Sequence, residues 1–246
     1  MRSILKLKAQ DGNIIEVIPK VIKEMITIQT MLNCPLVINN NDEDNEPIPI
    51  FTINSDILNK LIEWTNYYIE NSDNSKYTIW SEQFFLQNLK YIIELEEGAK
   101  FLDIQKYLET NQVFMDKYFE VMTESTDFLK NISCDSFGDL IARDSLNVPN
   151  EQTVFESLIS WISEDIDKRS NNLEYLISKI RIKFLNKKYI ETNVKPFLEK
   201  NNNSNLIEHL SNITKPRTPY ELTIVAIHQK DTTQCFKYMN AMVCII

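Results

Sequence analysis

The stretch ARDSLNVPNEQTVFESLISWI, residues 142–162, decides how this 246-residue chain is read. Val148 precedes Pro149, and the residue before a proline is pushed out of the helical region, so the chain turns there. Asn150 follows as a helix cap, and Glu151 places a negative charge in the first turn, where the helix dipole favours it. Val154, Phe155, Leu158, Trp161 and Ile162 then fall on one apolar stripe at helical spacing. A turn, a cap and an amphipathic helix are therefore expected in that order.

The rest of the chain sets the bounds. Its length holds one or two domains with a real core. Only three glycines occur, Gly12, Gly98 and Gly138. That excludes a glycine-rich phosphate loop and weighs against an all-β fold turned by glycines. The net charge is −9, and an acidic chain is repelled by phosphate backbones, so no nucleic-acid partner is expected. The basic run of Lys179, Arg181, Lys183, Lys187 and Lys188 is expected to be a solvated helix and loop face. No apolar run approaches the ~18 residues of a membrane span, and the start of the chain lacks the apolar core of a signal peptide. Cys34, Cys134, Cys235 and Cys244 have no paired spacing and are read as reduced thiols. A cytoplasmic or nuclear protein is expected.

Outward from the motif, the N-terminal side begins with two apolar runs, residues 4–9 and 14–18, joined through Asp11-Gly12, a hairpin signal. Pro19 ends the second strand. Helices are expected over Lys20–Met25 and, capped by Thr27, over Ile28–Leu32. Residues 39–46 form an acidic loop, and Pro47–Phe51 a short extended edge. Asn54 or Ser55 caps a helix carrying Ile57, Leu58, Leu61, Ile62, Trp64 and Tyr68. After a polar linker, Asn71–Ser75, the pattern gives helix, a break at Gly98 and a short helix. A longer helix fits Ile104–Met122, and short helices continue to about Phe197.

The motif resembles the D-x-L-N-V-P-x-E…V-F…W core of the BACK domain, carried here by Asp144, Leu146, Asn147, Val148, Pro149, Glu151, Val154, Phe155 and Trp161. Residues 165–169 and 176–185 extend that likeness. The N-terminal side resembles the Skp-type BTB/POZ fold through Leu5-Lys6-Leu7, Asp11-Gly12, Glu16-Val17, Thr27 to Leu32, Pro47-Ile48-Pro49, Leu61-Ile62-Glu63-Trp64 and Ala99 to Ile104. The resemblance implies an α+β chain, mostly helical: a BTB/POZ unit over 1–110, an all-α BACK domain over 111–200, and a linker with a degenerate kelch-like start over 201–246. The last is expected from Lys215 to Pro219, Leu222 to Ala226 and Cys235 to Tyr238, whose glycine-free span is too short for a propeller blade.

Function follows from the same likeness. Such chains are non-enzymatic adaptors of cullin–RING ubiquitin ligases, whose partners are a cullin scaffold and a substrate protein. Met31, Leu32, Lys100 and Phe101 are the candidate partner-binding residues. Lys100-Phe101 stands where the Skp-type family places an Asn-Tyr pair against the cullin, and Met31-Leu32-Asn33-Cys34 lacks the glutamate that users of the third cullin carry, so the choice of cullin stays open. A monomer or weak dimer is expected, because no helix precedes the first strand. The rival reading is a decoy or regulatory interaction module, viral or cellular, without a working propeller. No catalytic, cofactor or metal residues are expected. His209 and His228 are read as surface residues, and Asp42-Glu43-Asp44 lacks the glycine and spacing of a calcium loop. Cys134 is read as a packed thiol, and Trp64, Trp80 and Trp161 as core or half-buried anchors.

Overall fold

A computed structural model describes residues 4–34, 46–72, 75–201 and 215–218. The acidic loop, both histidines and the kelch-like strands lie outside the described residues, except for Glu46 and the four residues 215–218.

The hairpin forms as the sequence predicts. Strand β1, Leu5–Lys8, pairs antiparallel with β2, Ile14–Val17, in the register Leu7↔Ile15. A parallel β3, Ile48–Pro49, lies on the other side, giving the order β2-β1-β3. Alternation sends Leu7 and Val17 into the core while Lys8, Ile14 and Glu16 face out. Gly12 sits at φ 86° in the turn, a conformation glycine adopts without penalty. The turn is tied to the helices by Asp11, whose carboxylate accepts from the Ser55 hydroxyl at 2.6 Å and the Ser55 amide at 3.1 Å.

Those two bonds favour the charged form and hold Asp11 below the usual carboxylate range. A carboxylate lowered in the fold stabilises it above the unfolded value, and the contribution is lost as pH falls through the lowered value. Asp11→Asn is therefore expected to lower the melting temperature at neutral pH. The gap from the native chain should close as thermal melts are repeated toward about pH 2. A gap that stayed constant with pH would exclude this role.

Helix α1, Pro19–Ile22, and α2, Ile26–Leu32, follow. Thr27 does not cap α2: Met25 occupies the cap position, and the Thr27 hydroxyl donates to the Phe101 carbonyl at 2.7 Å. A tertiary acceptor has taken the hydroxyl that the local pattern assigned to a cap. Helix α3, Ser55–Asn71, is capped by Asn54, which accepts from the Ile57 amide at 2.9 Å, while Ser55 serves Asp11.

Helix α4, Ser75–Gln87, brings Trp80 onto Tyr67 with ring centroids 3.9 Å apart. A 3-10 turn, Leu89–Tyr91, leads into α5, Ile92–Leu102. Gly98 does not break α5. A Cβ there would stand 2.9 Å from Leu61 Cδ1 and 3.3 Å from Ile57 Cγ2, so glycine permits close approach of α3. The helix ends at Asp103 instead, in the left-handed conformation at φ 55° that terminates helices.

The single helix expected over Ile104–Met122 is two, α6, Gln105–Lys117, and α7, Phe119–Thr123. At the bend between them Lys117 and Tyr118 both bind Glu82 on α4, at 2.6 and 3.1 Å, while Phe119 and Met122 stay in the core.

The C-terminal half is a run of short helices: α8, Thr126–Asn131, α9, Cys134–Ala142, α10, Glu151–Ser163, α11, Ile166–Arg169, α12, Leu173–Ile177, α13, Lys187–Tyr189, and α14, Lys195–Lys200. Ser125, Ser133, Asn150, Asp165 and Asn186 cap five of them through side-chain oxygens. Trp161 is the hub. It stacks on Phe137 at 5.6 Å, donates Nε1–H to the Ile132 carbonyl at 3.2 Å, and carries the Arg169 guanidinium 4.2 Å over its ring. One continuous buried core runs from Leu7 to Leu198.

The basic run is not wholly solvated. Lys183, Lys187 and Lys188 are exposed, but Arg181 is buried. Its Nη2 donates to Asp144 Oδ1 at 2.5 Å, so the charge enters the interior with a partner.

Candidate partner-binding surface

Met31 and Leu32 form the last turn of α2, and Lys100 and Phe101 the last turn of α5. The Thr27–Phe101 hydrogen bond ties the first turn of α2 to the end of α5, and Met31 lies one turn beyond Thr27 on the same helix face. Met31, Leu32 and Phe101 are half-buried and packed against the core. They are thus available at their outer edges while being held from beneath, the setting in which interface anchors contribute most.

Lys100 stands apart from the other three. Its ammonium pairs with Glu96 at 2.7 Å, and its side chain lines a cavity of about 230 Å³ between α5, α6 and α9. Asn111, Met115, Asp139 and Arg143 line the same cavity. The structure therefore packs α2 against the end of α5 at the candidate surface and turns the lysine toward the C-terminal helices.

Chemistry is sparse in what is described. Among the described residues no group of three or more His, Cys, Asp or Glu could hold a metal ion. No helix there is long and apolar enough to cross a membrane. Cys34 and Cys134 are free thiols. Burial, and then the neighbouring Asp135, push the Cys134 thiol up, which disfavours the reactive thiolate. Trp64 and Trp161 are core residues, as their spacing suggests, and Trp80 is half-buried.

The pairings of the charged residues that organise the C-terminal half are not legible in the sequence. Asp116 accepts from Arg143 Nη1 at 2.9 Å and from the Ser145 hydroxyl at 2.5 Å. Glu151 accepts from the Arg181 amide at 3.2 Å and from Arg217, 66 residues away. The only sequence signal was the placement of acids at 144 and 151 within the motif; their partners are too distant for any local period to show.

Two family models match in sequence. The Skp1 family, tetramerisation domain, matches residues 3–70, and the domain described as BTB And C-terminal Kelch, BACK, matches residues 92–195. Kelch-like protein 25 of Mus musculus and its counterpart in Rattus norvegicus are each 35% identical over 68 residues. That region is 28% of this chain and 11% of those proteins, so only a small part of their length is shared.

Proposed function

We propose, for a chain that belongs to the BTB–BACK, kelch-like family, that its N-terminal half binds a cullin scaffold and its C-terminal half positions a cargo protein for ubiquitin transfer by other subunits. The carrying observation is the order of parts: a Skp1-type unit and a BACK domain in one chain, sharing one continuous core. A shared core gives the rigid link an adaptor needs between scaffold and cargo. The last turns of α2 and α5 supply the apolar anchors Met31, Leu32 and Phe101, and no catalytic step is assigned to the chain itself.

The first test is retention. Immobilised chain should hold back one cullin N-terminal domain from a purified set at micromolar concentration. Met31→Asp should weaken that retention about tenfold or more, because a charge would replace a half-buried apolar anchor. Circular dichroism should show the variant folded. Retention of no cullin, or equal retention by the folded variant, would contradict the assignment.

A further inference from the structure

Residues 215–218, Lys-Pro-Arg-Thr, lie across the connection between α9 and α10. Arg217 is the centre of the contact. Its side chain is only 5% exposed, as is that of Glu151 opposite it. Nε donates to Glu151 Oε1 at 2.5 Å and Nη2 to Glu151 Oε2 at 3.2 Å, a two-pronged pair. Nη2 also donates to the Ile141 carbonyl at 2.7 Å and Nη1 to the Arg143 carbonyl at 2.6 Å.

Helix physics explains the placement. The two carbonyls lie at the C-terminal end of α9, where acceptors lack helical partners and the dipole is negative. Glu151 lies in the first turn of α10, where the dipole favours an anion. One guanidinium thus serves the end of one helix and the carboxylate at the start of the next. The flanking residues add to the grip. Lys215 Nζ donates to Asp144 Oδ2 at 2.6 Å, and the Thr218 amide and hydroxyl each donate to the Asp144 carbonyl at 2.9 Å. Asp144 is held in turn by the buried Arg181.

We infer that Glu151 and the carbonyls of Ile141 and Arg143 form a guanidinium socket, occupied by the chain's own Arg217, that docks the 215–218 segment on the helical half. Asp144 and Glu151 of the 142–162 motif therefore serve this docking. The socket fixes the point at which the chain passes residue 218, whatever partner the N-terminal half binds, and its ligand class is an arginine on a non-helical segment. A lysine would not replace it, since a point charge with three donors cannot reach four acceptor atoms in fixed directions.

Trypsin tests the socket on the full chain. The Arg217–Thr218 bond is a trypsin site, the Lys215–Pro216 bond is not, and cleavage requires the Arg217 side chain to leave Glu151 for the protease pocket. Cleavage at 217–218, followed by mass spectrometry, should be slow in the native chain. It should quicken about tenfold or more in Glu151→Gln, which removes a charged hydrogen-bond partner. Arg217→Lys decides the matter if Glu151→Gln fails to fold. It keeps a trypsin site and the charge but loses the fork, and it too should be cut faster. Cleavage of the native chain at the rate of the urea-unfolded chain, or unchanged rates in the folded variants, would overturn the socket.

Discussion

Trp64→Ala is expected to cost about 3–5 kcal/mol of stability, the range for removing a large buried aromatic. Trp64 is fully buried on α3. Its ring stacks on Tyr68 at 5.7 Å and meets Tyr77 and Tyr107 edge-on at 6.0 and 5.0 Å. Alanine would leave a cavity among three tyrosines that helices α3, α4 and α6 cannot close without moving together. For a chain of this size the midpoint should fall by roughly 10 °C in a thermal melt. Trp64→Phe should cost far less, because the indole Nε1 is buried without a hydrogen-bond partner and its removal offsets part of the lost packing. Equal losses in the two variants would show that the cluster is not held by ring volume.

Asp116→Ala is expected to lower stability by about 2–4 kcal/mol, since it strands a partly buried cation and a hydroxyl. Asp116 is buried at the end of α6 and binds Arg143 and Ser145, the two residues that bracket Asp144 in the motif. Its carbonyl also accepts from the Asn147 amide at 2.9 Å. Asp116 therefore holds the turn that carries Asp144, and its loss should loosen the turn as well as the fold. Urea unfolding would read the stability, and hydrogen exchange at residues 144–150 would read the turn. Asp116→Asn should fall between native and alanine, keeping one acceptor. Native-like exchange in the alanine variant would separate the turn from Asp116.

What the sequence made legible was local. The Asp11-Gly12 turn, the Asn54 and Asn150 caps and the stripe from Val154 to Ile162 act over a few residues, and the structure has them where the pattern puts them. Misreadings occurred where a distant partner outweighed a local preference. Gly98 looks like a break, but Ile57 and Leu61 press against it inside an unbroken helix. Thr27 looks like a cap, but its hydroxyl is drawn to Phe101, 74 residues on. Arg181 sits in a run of cations that are otherwise at the surface, and its distant partners, Asp144 and the Ala142 carbonyl, accompany its burial. Arg217 was legible as part of a lead-in segment, while Glu151 was legible only as a first-turn acid; their pairing exists only in three dimensions. Met31, Leu32, Lys100 and Phe101 came from the family likeness, because nothing in their spacing separates a surface anchor from a core residue.

The central claim is that the N-terminal half engages a cullin, and calorimetric titration of the full chain with the N-terminal domains of the different cullins, side by side, tests it most directly. The account predicts one-to-one binding to one cullin with a Kd of about 1 μM or tighter, near −8 kcal/mol. Saturation by none of them at about 100 μM, some −5.5 kcal/mol, would contradict it.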